Sequence, residues 1–439
     1  MISQLLFLLL LSTGIFFFAQ RIGVIRRNIQ SGRDWDGSDR KAERWATMAR
    51  VALGQGKMTA RPVAGVMHIL IYVGFVIINI EILEILIDGL FGTHRIFSFL
   101  GPLYDFLIAS FEWLALGVIV ACVVFFVRRN GLALARLTSK ELKGWPSLDA
   151  NIILVVEVLL MFAFLSMNAT DSIAQSRGLD HYVPAGTFPI SSFLIPLYSG
   201  LSDAGVMAME QGMWWFHIAG VLAFLVYVPY SKHFHIILAF PNTYFSSLNP
   251  IGQMDNMAAV KKEVDLMMDP QADPYASAPA TDGPPARFGV KDAPDLTWKQ
   301  LLESYTCTEC GRCTSECPAN QTGKLLSPRK IMMSTRDRIE EIGQSREANG
   351  GEWKPDGKSL LGDWITEEEL WACTSCQACV EACPINISPM GIILDMRRSL
   401  IMEDSKSPES ITTMFNNIEN NGAPWAFPAG SRGDWTQEV

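Results

Sequence analysis

Charge is what this 439-residue chain has least of: only 18% of its residues are Asp, Glu, Lys or Arg, against about a quarter in ordinary soluble domains. The deficit falls mostly before residue 240, so composition divides the chain into an apolar part and a soluble-like part. The net charge of −9, with no basic cluster on a candidate folded face, excludes nucleic acid as a partner. Also missing are a G-x-G-x-x-G dinucleotide fingerprint, a P-loop and a nucleophile elbow, so no motif assigns an enzymatic reaction or a catalytic side chain to this chain. Cysteine is nearly absent outside two short stretches. The ninth cysteine, Cys122, stands alone in an apolar run and reads as a small buried hydrophobe. Histidine is scarce too, with six residues in all.

What is abundant is the long hydrophobic run. Five segments are apolar enough to cross about 30 Å of hydrocarbon: Ile2 to Ala19, about Pro62 to Phe91, about Leu103 to Val127, Ile152 to about Met167, and about Met213 to Phe240. The first has no basic residue ahead of it and no small-residue cleavage site after it, so it is expected to be a retained helix rather than a signal peptide. The connection from Arg21 to Arg61 holds ten Lys or Arg and that from Arg128 to Trp145 holds five, while the other two hold only Arg95 and Arg177. The positive-inside rule then puts the N-terminus outside and everything after the fifth span in the cytoplasm, as in a multi-pass protein of a bacterial inner membrane. In the long connection from Asn168 to Gly212, the SFLIPLY and DAGVMAM pieces suggest short interfacial elements. Glu81, Glu84 and Asp88 lie toward the outer end of the second span; they are expected in the headgroup layer beside Arg95, a proton or quinone route being the alternative.

The histidines fall at informative depths. His217 and His235 are eighteen residues apart; on one continuous helix they share a face and stand about 27 Å apart. His68, near the start of the second span, and His235, near the end of the fifth, lie at similar depth on the cytoplasmic side. Two neutral imidazoles facing each other between helices form a bis-histidine site for haem b. A second haem would use His217 with His94 as partner, Met161 or Met167 being alternatives. His181 and His233 read as interfacial residues.

The two cysteine stretches are CTECGRCTSECP, from Cys307, and CTSCQACVEACP, from Cys373. Both are C-x2-C-x2-C-x3-C-P, the spacing of [4Fe–4S] ligation, in which the fourth Cys of a run serves the other cluster. One cluster would take Cys307, Cys310, Cys313 and Cys383, the other Cys373, Cys376, Cys379 and Cys317. A zinc ribbon is the alternative for CxxC pairs and fits the doubled four-cysteine pattern poorly. Ser327 before Pro328 and Thr366 before the EEE run are expected helix caps, and a closing helix is expected from Met390. The fold class is therefore all-α: a five-helix membrane domain (1–240), a linker (241–295) in which Asp269 to Asp295 is rich in Pro, Ala and Asp, a helical two-cluster ferredoxin domain (296–402), and a tail (403–439).

The first ~240 residues resemble the five-helix cytochrome b subunit shared by nitrate reductase gamma chains and heterodisulfide reductase-like membrane complexes, through the His217 and His235 spacing. The second span offers one histidine, His68, where that family has two. From about Leu296, TWKQLLESYTCTECGRCTSECPA and TGKLLSPRK resemble the ferredoxin part of heterodisulfide reductase-like iron–sulfur oxidoreductases. Those proteins continue into CCG repeats. NNGAPWAFPAGSRGDW resembles the junction before such repeats, and no CCG occurs. The resemblance implies a CCG-bearing iron–sulfur partner subunit, a soluble donor such as an electron-transfer flavoprotein, and a membrane quinone, menaquinone or ubiquinone. The function it implies is electron transfer between a cytoplasmic partner and quinone. The alternatives are quinol-to-disulfide transfer, or a haem-free membrane anchor.

Overall fold

The computed structural model describes residues 1–271 and 287–437. In chain order the helices are α1 (Ile2–Gln30), α2 (Lys41–Met48), α3 (Pro62–Phe91), α4 (Pro102–Phe126), α5 (Trp145–Ser176), α6 (Ile195–Tyr198), α7 (Asp203–Tyr227), α8 (His235–Tyr244), α9 (Ala258–Met268), α10 (Trp298–Thr306), α11 (Arg312–Ser315), α12 (Pro318–Gln321), α13 (Pro328–Ala348), α14 (Glu367–Trp371), α15 (Ala378–Ala382), α16 (Pro389–Met402) and α17 (Glu409–Asn421). Among the described residues there is no strand, only two isolated bridges. The all-α expectation holds.

Five helices, α1, α3, α4, α5 and α7, are long and apolar enough to cross a membrane. Each packs on the next, and α7 returns to α1, so they form a closed ring. Large apolar side chains such as Leu5, Leu9 and Phe16 of α1 and Phe75 of α3 stay exposed around it, as surfaces solvated by lipid tails require. Close approach in the ring depends on small residues. Gly89 of α3 lies against the Phe7 ring of α1, and a Cβ there would come within 2.7 Å of it. Gly220 of α7 does the same for Leu160 of α5, at 2.5 Å.

Two spans run well past their expected ends. At 29 residues, α1 is about 43 Å long, and its last turns leave the apolar belt to meet the second domain. There Asn28 donates to the Tyr305 hydroxyl at 2.8 Å and Arg21 pairs with Glu340 at 2.7 Å. Helix α5 continues to Ser176 instead of stopping near Met167, because its polar end is satisfied inside the bundle. DAGVMAM is not a separate element but the first turns of α7, capped by Ser202.

The fifth span needs a larger correction. Helix α7 ends at Tyr227, Pro229 sits in a short 3-10 turn, and Ser231 is extended before the chain turns into α8. Proline removes a backbone donor and clashes with the preceding turn. His217 and His235 therefore lie on different helices, and the one-face argument for them fails. Helix α8 leaves the ring and packs on α10 and α2.

The second domain is built on α10, α13 and α16. Ser327 and Thr366 cap α13 and α14 as expected, Thr366 within a capping box with Glu369. The closing helix is α16, one residue earlier than Met390. Val290, Ala293 and Leu296 are fully buried in this core, so the end of the expected linker belongs to the domain. The linker's middle, 272–286, lies outside the described residues.

Candidate functional site

Both cysteine combs adopt the same backbone. The second and fourth residues after the leading cysteine are left-handed in each: Glu309 (φ 54°) and Gly311 (φ 72°), then Ser375 (φ 55°) and Gln377 (φ 61°). Three of these four are not glycine, and each costs local strain. Paired bends of this kind curl three consecutive thiols toward one point and turn backbone N–H groups inward. Ser375 N–H donates to Cys373 Sγ at 3.4 Å, and Ile387 N–H donates to Cys383 Sγ at 3.2 Å.

The two combs exchange their last cysteines. One cavity is lined by Cys307, Cys310, Cys313 and Cys383, walled by Met332 and Ile387. Cys379 has the thiols of Cys373, Cys317 and Cys376 as its neighbours. Burial raises the thiols of Cys379 and Cys383 to about 12 and that of Cys307 to about 11, so thiolates there need a bound cation to form. Among the described residues, no three His, Cys, Asp or Glu side chains converge on one ion position. A tetrahedral zinc site would bring its sulfurs within about 3.8 Å of one another; here four thiols stand around a cavity, which suits a polynuclear cluster.

The two comb sites differ in surroundings. The Cys307 loop is held by every connection at one end of the helix ring. Arg312 donates to Lys57 O at 2.9 Å, Arg61 to Ser315 at 2.6 Å, Arg136 to Cys310 O at 2.6 Å and Lys232 to Glu309 at 2.5 Å, while Asn242 donates to Ile385 O, next to Cys383, at 2.7 Å. Arg329 is fully buried and pairs with Glu141 at 2.7 Å. Burial pushes Glu141 up, but the Arg329 guanidinium and the Ser327 hydroxyl outweigh it and hold this carboxyl at about 2. Glu309, within the comb, is buried between Lys232 and Arg336. Burial raises its carboxyl, and the two cations more than offset that, leaving it below the ordinary range. Cys376 of the other comb is exposed, and nearby Arg397 stacks on Trp371 at 4.9 Å while donating to Cys373 O.

Of the site histidines, the structure brings His68 and His235 together, with ring centres 6.3 Å apart. Two iron–nitrogen bonds of about 2.0 Å, plus about 1.1 Å from each nitrogen to its ring centre, span about 6.2 Å. His235 Nδ1 lies 3.1 Å from Lys232 O, which fixes the tautomer and frees Nε2 for a metal. His68 Nδ1 is buried without a partner. His233, read as interfacial, is half-buried beside His235, with ring centres 5.6 Å apart. Burial holds both below the ordinary imidazole value. His217 and His94 are not brought together. His217 is bonded to Leu160 O at 2.9 Å and packed on Phe164, whereas His94 lies against His181, Tyr182 and Asp171.

One constellation escaped the sequence reading. Glu81, Glu84 and Arg95 are covered by the protein itself, 3%, 4% and 6% exposed; Glu84 and Arg95 are tied into a network with Tyr104, Asn168 and Asp171, while Glu81 Oε2 is buried without a partner. Asp88 alone keeps a rim position, accepting from Thr93. The available signal was the polar run Asn168, Thr170, Asp171 just past the fourth apolar segment.

Residues 303–387 match the family described as 4Fe-4S dicluster domain. A probable iron-sulfur-binding oxidoreductase, FadF, from Bacillus subtilis is 28% identical over 465 aligned positions, covering 100% of this chain and 61% of the relative. An EtfAB:quinone oxidoreductase from Syntrophomonas wolfei is 27% identical over 91% of this chain and 55% of its own length. One subunit of the ferredoxin/F(420)H(2)-dependent CoB-CoM heterodisulfide reductase of Methanosarcina acetivorans is 32% identical over 25% of this chain and 53% of its own. The chain thus spans little more than half the length of the relatives it matches throughout. No solved structure matches it. Its relatives are iron–sulfur oxidoreductases, and the dicluster match agrees with iron–sulfur clusters at the combs.

Proposed function

We propose that this chain is the membrane-bound electron-transfer subunit of a quinone-linked oxidoreductase. It relays electrons between a cytoplasmic redox partner, two [4Fe–4S] clusters, one haem b and the quinone pool. When bound, the clusters and haem supply one-electron storage at fixed points. The chain's own residues set those points. Cys307, Cys310, Cys313 and Cys383 hold the cluster nearer the helix ring; Cys373, Cys376, Cys379 and Cys317 hold the outer one; His68 and His235 hold the haem. Backbone N–H groups neutralise thiolate charge, Lys232 O orients the His235 ring, and buried arginines keep water out between comb and ring. The quinone and flavoprotein assignments draw on the name of the Syntrophomonas relative. Basic connections at the iron–sulfur end support a cytoplasmic location for that domain, with the N-terminus outside a bacterial inner membrane. The names of the relatives support an iron–sulfur or flavoprotein partner.

The observation that carries this reading is the His68–His235 pair, at a ring separation suited to haem ligation, with His235 three residues beyond Lys232, which bonds to Glu309 of the Cys307 comb. A reduced-minus-oxidised visible spectrum of the purified protein tests it. A b-type signal is expected, lost in His235→Ala and retained in His233→Ala. No such signal in the wild type sinks the haem relay and leaves the membrane-anchor reading. The heterodisulfide reductase relative favours a second direction of flow, from quinol to a cytoplasmic disulfide; the identity of the co-purifying protein decides between the two.

A further inference from the structure

At the end of the ring opposite the iron–sulfur domain, five carboxyl groups lie inside the protein: Glu81, Glu84, Glu112, Asp171 and Glu210 are each at most 7% exposed. A single guanidinium, Arg95, is buried among them. It donates to Asp171 at 2.5 Å, to Tyr104 at 3.1 Å and to Asn168 at 2.9 Å. Five carboxylates cannot all be ionised around one cation in a low-dielectric interior, so protons must reside in this cluster. Its groups also form a chain. His181 is exposed, and its ring is 5.4 Å from that of His94. His94 Nε2 is 3.5 Å from Asp171, and Arg95 links Asp171 to Tyr104. Tyr104 donates to Glu84 at 2.9 Å, and Glu81 is three residues further in on α3, on the same helix face. There the chain stops: Glu81 Oε2 is buried with no hydrogen-bond partner. Ser191 Oγ, beside Glu112, is likewise fully buried and unpartnered. Orphan polar atoms at the inner end of a satisfied network are where a mobile proton donor or acceptor is to be expected.

We infer that this network is a proton path from the far face of the bundle, entering at His181 and His94 and ending at Glu81 inside the ring. It rests on the quinone reading above. Reduction of a quinone takes two electrons, from the cytoplasmic donor, and two protons, giving the quinol; this path assigns the protons to the face opposite the donor. Asp171, Tyr104 and Glu84 pass protons, the hop from Asp171 to Tyr104 running through a water molecule beside Arg95, which stays protonated and positions both.

Infrared spectroscopy of the full chain in lipid nanodiscs tests this without turnover. The wild-type minus Glu81→Gln spectrum should contain one protonated-carboxyl band, which shifts in D2O and returns at a new frequency in Glu81→Asp. His94→Gln should keep that band and delay its deuteration by an order of magnitude. Loss of no band in Glu81→Gln overturns the path, and so does a band that resists D2O, the behaviour of a sealed structural acid. Should Glu81→Gln not fold, unchanged deuteration of the carboxyl bands in His94→Gln overturns it alone. Absent quinone reductase activity would refute the quinone reading and leave the infrared result standing, so the two failures are distinguishable.

Discussion

Glu309 sits between two cysteines of the Cys307 comb, and its carboxylate is shared by Lys232 and Arg336, with side chains 3%, 9% and 19% exposed. This ion triplet adjoins both the comb of the proposed inner cluster and His235, whose Nδ1 bonds to the carbonyl of the same Lys232. Changing either charge should therefore move the potential of the inner cluster, in opposite directions. At an effective dielectric constant of about 20, a unit charge about 8 Å away contributes about 2 kcal/mol, or about 90 mV for a one-electron couple. Glu309→Gln removes a negative charge, so reduction becomes easier and the potential rises by tens of mV. Lys232→Met removes a positive one and lowers it by a similar amount; Lys232→Arg restores it. Loss of a buried ion partner also costs about 3 kcal/mol, so thermal unfolding is followed in parallel. Arg336 still pairs with Glu309 in Lys232→Met, which keeps the fold within reach. EPR-monitored redox titration reads both clusters. At about 20 Å the same charge is worth less than half as much, so the outer cluster serves as control. Shifts of equal size in both clusters, or of one sign for both substitutions, would refute the reasoning.

Two further outcomes follow from the same geometry. Cys317→Ser should degrade the EPR signal of the cluster built on Cys373, Cys376 and Cys379, and Cys383→Ser that of the cluster on the first comb; the reverse pattern contradicts the exchange of fourth ligands. Glu141 is held at about 2 by Arg329, from an ordinary 4.5, so its contact between ring and iron–sulfur domain is at full strength above pH 4.5 and is lost as pH falls toward 2. The gap corresponds to about 3 kcal/mol before discounting for partial exposure. Glu141→Gln should lower the thermal midpoint at neutral pH and make stability less steep across that acid window; an unchanged slope counts against the pair.

The parts of the molecule that were legible in the sequence are those where local chemistry alone decides the structure. Comb spacing, the Ser327 and Thr366 caps, the Pro62 start of α3 and, to within a residue of the expected Leu103, the start of α4 all came through. What stayed hidden depends on which partner buries a surface. Helix α8 reads as a continuation of a membrane span because Ile236, Leu238 and Phe240 are apolar whether lipid or protein covers them; here α10 covers them, and only Pro229 marked the break. Conversely, Asn168 and Asp171 look unfit for a bundle interior, since nothing in the linear chain announces that Arg95, seventy-odd residues earlier, folds back onto them. Hydropathy reports the cost of burying a group alone, not of burying it paired.

The same distinction orders the redox sites. A comb gripped by Lys57, Arg61, Arg136 and Lys232 cannot also face a soluble partner, because those contacts occupy its approaches. The comb with the exposed Cys376 has that face free. Two sites of identical spacing and identical left-handed bends are thus made unequal by what surrounds them, one closed in by the helix ring and one open to solvent, which in the proposed relay makes the first its membrane-side end and the second its docking end. Since both combs offer the same ligand chemistry, any difference in potential between the proposed clusters would come from these surroundings: the buried Glu309 triplet on one side, and solvent with the Arg397–Trp371 pair on the other. The low-charge part of the chain therefore does more than anchor the domain. Its few cations, gathered at one end of the ring, decide which comb is held against the helices.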